Sequence, residues 1–174
     1  MKIIMSFCLL AAAAAAHAQH KPYAGQEGRD VKALSNEEIE QYRAGAGMGY
    51  AKAAELNHFP GPMHILELAD KLGLSEEQRA ATRRLMEAHK RDARAVGAKL
   101  VEAEQALERL FRAGAPAERA LADAVREAAR LEGEYRLSHL ETHRRMRMLL
   151  SEAQVADYDR LRGYARPDAP AHRH

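Results

Sequence analysis

His139 and His143 stand four residues apart in Arg136-Leu137-Ser138-His139-Leu140-Glu141-Thr142-His143-Arg144-Arg145-Met146, late in a long helical pattern. Residues at that spacing share one face of a helix, so the two imidazoles project side by side. Met146 follows one turn further on. Neutral imidazole is a good ligand for Zn, Cu, Ni and Co, and a thioether suits softer ions. Paired imidazoles at helical spacing also occur as half-exposed polar residues that cap an apolar seam. What decides is whether other donors converge on them.

The elements needed to bring such donors together can be read from the chain. Ser75-Glu76-Glu77-Gln78 is a capping box that opens a helix running to about Ala113. Leu85, Ala93, Val96, Leu100, Ala103, Leu107 and Leu110 recur at alternating three and four spacing, with His89 in the same row. Gly114-Ala115-Pro116 supplies a turn. A second helix from about Ala117 to Leu149 carries Leu121, Val125, Ala128, Leu131, Tyr135, Ser138/His139, Thr142 and Met146. Each stripe needs a partner to be buried, so the two helices should form an antiparallel hairpin. Folding about Gly114-Ala115 sets Leu100 opposite Ala128/Ala129, Leu107 opposite Leu121/Ala122, and Gly97 opposite Gly133. It also brings Met86 and His89 to the level of His139 and His143, near the hairpin's open end.

Shorter elements flank the hairpin. Ser35-Asn36-Glu37-Glu38 opens a short helix that stops near Gly45, and Ala51–Leu56 reads as another turn or two. Pro62 starts a helix through Ile65, Leu66, Leu68, Ala69 and Leu72, ending at Gly73. His58, Met63, His64 and Glu67 lie in this region. If that helix folds over the open end, His64 or Glu67 completes the site. Ser151-Glu152-Ala153-Gln154 is a third capped start. The candidate metal set is therefore His139, His143, His89, His64, Glu67 and Met146, for a divalent ion among Zn, Ni, Co and Cu.

The amino terminus reads as a secretory signal over residues 1–18: Lys2, an Ala-rich apolar stretch, and Ala16-His17-Ala18 as a small-x-small cleavage pattern. Cleavage would remove Cys8, leaving no thiol for disulfide, catalysis or metal. Periplasmic export is the expectation. Residues 19–61 read as an extended segment with short helices, 62–165 as the helical hairpin domain, and 166–174 as a disordered tail. With 27 basic against 25 acidic residues, the balance gives no case for a nucleic-acid partner. The Arg-rich helix faces are interleaved with acids. They read as a solvated surface, or as a cradle for acidic unfolded chains in which Arg stems cover apolar area.

Enzyme motifs fail one by one. H-E-x-x-H is broken because Leu140 follows His139, and the paired Glu-x-x-His of di-iron bundles is missing from both long helices. Neither a phosphate-binding Gly-rich loop nor a G-x-S-x-G elbow occurs. A non-enzymatic protein with no small-molecule substrate is expected.

Leu74-Ser75-Glu76-Glu77-Gln78 and Leu150-Ser151-Glu152-Ala153-Gln154 look like two copies of the L-T-x-x-Q motif, with Ser in place of Thr. Two such motifs flanking a helical hairpin behind a signal peptide resemble the Spy/CpxP group of periplasmic proteins, over about Pro62 to Tyr164. The resemblance implies an all-α fold in which two hairpins embrace as a homodimer. It implies either an ATP-independent chaperone for unfolded client proteins or a heavy-metal sensor or resistance protein in envelope stress, working with a membrane-bound regulator. Metal sensors of the CnrX type use His from an N-terminal helix, a Glu, and a late His-x-x-x-Met pair. Here His139-x-x-x-His143 occupies a like position with His for Met, and His64 and Glu67 are the plausible upstream counterparts.

Overall fold

The computed structural model describes residues 23–164, so the signal sequence, His20, and the tail with His172 and His174 lie outside the described residues. The described residues fold into helices and turns alone, ordered α1 (Asn36–Ala44), α2 (Lys52–Glu55), α3 (Pro62–Glu67), α4 (Glu76–Arg112), α5 (Glu118–Met148) and α6 (Glu152–Arg162). All three expected capping boxes form: Ser35 with Glu38, Ser75 with Gln78, and Ser151 with Gln154. Each satisfies two backbone N–H groups that the first helical turn would otherwise leave unpaired. None of the described helices is long and apolar enough to cross a membrane.

The 37 residues of α4 and the 31 of α5 pack antiparallel along the hairpin. The expected register is met at the imidazole level, where the His89 and His139 rings lie 4.5 Å apart between centroids. Two apolar clusters hold the hairpin. The middle one gathers Val31, Ile39, Tyr42, Ala93, Leu100, Val101, Leu131 and Tyr135. The other, at the open end, gathers Ile65, Ala69, Leu72, Leu74, Met146, Leu150, Val155 and Tyr158. The tip beyond the middle cluster is thin, so Val125, expected in the seam, is 47% exposed.

Both L-S-x-x-Q motifs meet at the open end, and their glutamines clasp. Gln78 Nε2 donates to Gln154 Oε1 at 2.9 Å, and Gln154 Nε2 donates to Gln78 Oε1 at 3.0 Å. Each second amide hydrogen reaches a backbone carbonyl across the gap: Gln78 to Leu149 at 2.9 Å and Gln154 to Leu72 at 3.3 Å. Each Oε1 also accepts from its own cap serine N–H. One residue type thus starts two helices and ties them together. A glutamate there would keep the cap but bring two acceptors face to face.

Residues 23–61 run along the hairpin from its tip to its open end. Lys32 pairs with Glu108 at 2.6 Å, and Arg112 Nη2 donates to the Asp30 carbonyl at 2.9 Å. α1 then lies on α4 at Gly97. A Cβ on Gly97 would fall 2.0 Å from the Tyr42 carbonyl oxygen and 3.0 Å from Tyr135 Cε2. Gly97 therefore admits α1 and a tyrosine ring. The expected approach to Gly133 does not occur, for a Cβ on Gly133 would meet nothing within 4 Å. α3 is also shorter than expected: it stops at Leu68 (φ −102°), and turns carry the chain to Gly73.

The clasp makes a quantitative expectation. Gln78→Leu or Gln154→Leu leaves half-buried polar partners unpaired, and each should cost about 1 kcal/mol of unfolding free energy. In a double-mutant cycle read by chemical denaturation, the two changes should couple by about 1 kcal/mol. Strict additivity would show that the pair does not act as a unit.

Candidate functional site

At the level of His89 and His139, the 45–64 segment, α4 and α5 enclose a cavity of about 380 Å³. Its walls include Gly45–Gly49, Lys52, Glu55, Gly61–His64, Met86, His89, Lys90, His139, Thr142 and His143. Four of the expected donors, His64, His89, His139 and His143, thus share one cavity.

The tyrosines explain why the loop forms a wall here. Tyr135 OH donates to the Ala46 carbonyl at 2.6 Å, which fixes the loop onto α5. Tyr50 OH donates to Glu132 at 3.0 Å, and the Tyr42 and Tyr50 hydroxyls share a bond of 2.8 Å. The Tyr135 ring lies 4.8 Å from that of His139, and Tyr50 stacks on it at 6.4 Å. Aromatic edges and faces at these distances attract one another.

His139 is 4% exposed, and among the described residues its Nε2 has no hydrogen-bond partner; nor has His89 Nδ1. A buried, unpaired polar atom costs about 1–3 kcal/mol, so two in one cavity call for a cause. Burial is the main reason that the His139 imidazolium is disfavoured, with its pKa lowered from 6.5 to about 4, and the neighbouring His89 and His143 add to it. His89 is lowered as well, first by burial and then by His143, with Asp92 acting the other way. Both rings are therefore neutral at pH 7, with a lone pair each.

His143 is held differently. Its Nδ1–H donates to the Phe59 carbonyl at 2.7 Å, with Glu55 Oε2 at 3.5 Å. That tie orients the ring through Nδ1, the arrangement by which a second partner positions a ligand imidazole. The ring can sit there because residue 61 is glycine: a Cβ on Gly61 would fall 2.9 Å from His143 Nε2.

The carboxylate of the site is Glu55, on α2. It accepts from Gly61 N–H at 3.1 Å and from the Tyr158 hydroxyl, and its Oε1 lies 3.7 Å from His64 Nδ1. Burial and this bond to Glu55 push the Tyr158 pKa up, so the hydroxyl keeps its proton. Glu67, the acid expected from sequence, is exposed and outside the cavity walls. α3 buries Pro62 and Ile65, which turns Glu67 outward. Met146 is also not in the walls. It is fully buried in the open-end cluster among Leu74, Leu150 and Tyr158, where it acts as core. His58 turns toward α6 and meets Asp159 at 2.5 Å.

The donor chemistry fits a borderline transition metal: imidazole nitrogens, two of them unpartnered, and one carboxylate. Among the described residues, however, no three His, Cys, Asp or Glu side chains lie at a spacing that holds one ion. Ligation would need ring rotation within the cavity, with His143 released toward its neighbours or the pair of His89 and His139 turned to it.

Because the folded His139 pKa lies below the unfolded one, only the unfolded chain binds that proton between pH 6.5 and 4. Stability from this residue is thus present above pH 6.5 and lost as pH falls toward 4. The expected loss between about pH 7 and pH 5 is about 2 kcal/mol, and His139→Phe should remove that part of the slope. Denaturant melts of both proteins across this range test it, and parallel profiles would contradict it. Compared with family models, with curated proteins and with solved structures, the chain matches none.

Proposed function

We propose that the protein is an exported, non-enzymatic metal-binding protein that senses or resists heavy metal in envelope stress. The reading rests on one observation above others: four imidazoles and the Glu55 carboxylate line one cavity in which two buried ring nitrogens, His139 Nε2 and His89 Nδ1, find no hydrogen-bond partner among the described residues. His139 and His89, whose pKa values burial lowers, can bind a metal at neutral pH without first losing a proton. His139, His143, His89 and His64 are the nitrogen donors in this reading, with Glu55 replacing Glu67 as the acid. Zn, Ni, Co and Cu are the ions suited to that set. The signal-like start and the paired L-S-x-x-Q motifs support a periplasmic Spy/CpxP-type homodimer that reports to a membrane-bound regulator.

A second reading is an ATP-independent chaperone. Phe111, Val125, Leu137 and Met148 are large apolar side chains on the hairpin with exposures from 47% to 71%, which an unfolded client could cover. Much of the surrounding Arg charge is spent locally: Arg130 pairs with Glu127 and Glu134, and Arg144 and Arg145 with Glu141. Exposed pairs of this kind are worth little in stability and leave little free charge to attract clients.

Calorimetric titration of the full mature chain with Zn(II), Ni(II), Co(II) and Cu(II) separates the two. Binding at one ion per chain, weakened at least about a hundredfold in His139→Ala/His143→Ala, is expected. Binding that survives the double change unaltered would overturn the site. Absence of binding, with suppression of client aggregation at near-equal molar ratio, would favour the chaperone.

A further inference from the structure

The same cavity holds a donor class that the imidazole reading leaves unused. Met48, Met63 and Met86 all line it, each from a different element: the loop before α2, the start of α3, and α4. The described chain places its other methionines elsewhere, with Met146 in the core and Met148 71% exposed on the outside.

Met48 carries a backbone signal of its own. Among the described residues, two non-glycine residues adopt positive φ, Met48 at 45° and His58 at 69°. Met48 lies between Gly47 and Gly49, so the conformation would be easier with a third glycine. A left-handed non-glycine residue costs about 1 kcal/mol or more and is kept where the surroundings hold it. Part of its side chain packs against the tyrosine cluster, which accounts for an apolar residue there. The same residue also lines the cavity that holds His139. The flanking glycines give the loop freedom to draw in, and methionine is itself adaptable.

The charges of the walls point the same way. Lys52 and Lys90 contribute two positive charges to the walls and Glu55 one negative. A site of net positive charge repels a dication twice as strongly as a monocation.

We propose that this cavity selects a soft monovalent ion, Cu(I) or Ag(I), through the thioether sulfurs of Met48, Met63 and Met86, with imidazole nitrogen completing the set. The proposal rests on the metal-binding reading above and narrows it to one ion class. Thioether is the soft donor that favours Cu(I) over Zn, Ni or Co, and imidazole serves either class.

The test uses the full mature chain with Ag(I) in chloride-free buffer, and Cu(I) in competition with a chromogenic chelator under anaerobic ascorbate. Wild type should bind one Ag(I) or Cu(I) per chain, at least about a hundredfold more tightly than Zn(II) or Ni(II). The M48L/M63L/M86L triple variant, a near volume-conserving change, should lose that preference while circular dichroism and melting temperature hold. Met63→Leu and Met86→Leu singly give the same answer if the triple variant folds poorly, because Met63 is half-exposed and Met86 sits on a long helix. Met148→Leu should change nothing. If Zn(II) or Ni(II) bind at the imidazoles but Ag(I) and Cu(I) bind no tighter, or the triple variant binds Ag(I) like wild type, this proposal fails and the imidazole site stands. If no ion binds, both fail.

Discussion

The register of α4 against α5 is the constraint on which everything else depends. It is pinned at both ends: by the turn at Gly114-Ala115-Pro116, and by the reciprocal amide pair of Gln78 and Gln154. A slide of one helical turn, about 5.4 Å, would separate His89 from His139 and break the four half-buried hydrogen bonds of the clasp at once. The clasp is thus more than a cap. It converts two local helix starts, 76 residues apart, into one fixed distance across the bundle.

A two-helix hairpin alone cannot enclose a cavity. The third wall comes from the 23–61 segment, and its path is set by close approach rather than by strong helix formation. Gly97 lets the end of α1 lie against α4, and the Tyr135 hydroxyl then holds the following loop by the Ala46 carbonyl. From there α2 delivers Glu55, which organises the far side through Gly61, Tyr158, His64 and His143. His58, held by Asp159, anchors the same stretch to α6. The cavity is therefore a joint product, lined by Glu55 of α2, His64 of α3, His89 of α4, and His139 and His143 of α5.

Much of this is legible in the chain because local chemistry fixes it. Three capping boxes, one Gly-Ala-Pro turn and two apolar stripes determine the hairpin, and with it the meeting of His89 with His139. The expectations that fail are those that depend on tertiary packing. Glu67 and Met146 have the right residue types and nearly the right depth, but the twist of α3 and the burial of the open-end cluster turn them to other uses. Glu55 lies on a four-residue helix without a side-chain cap, where the sequence pattern carries almost no periodic signal. Gly97 reads as half of a glycine pair between long helices, and only the docking of α1 reveals what its missing Cβ makes room for. The L-S-x-x-Q glutamines read as helix caps, and nothing local discloses that they face each other.

The proposed metal site stands on His139 Nε2 and His89 Nδ1, buried ring nitrogens with no hydrogen-bond partner among the described residues. Long-range nitrogen–proton NMR correlation of the histidine rings, followed while Zn(II) or Ag(I) is added, tests it atom by atom. His139 Nε2 and His89 Nδ1 should shift or broaden at one equivalent, together with His143 Nε2, while His58 stays unchanged. Resonances of those three rings that stay fixed, with changes confined to His58 or to the terminal histidines, would contradict it.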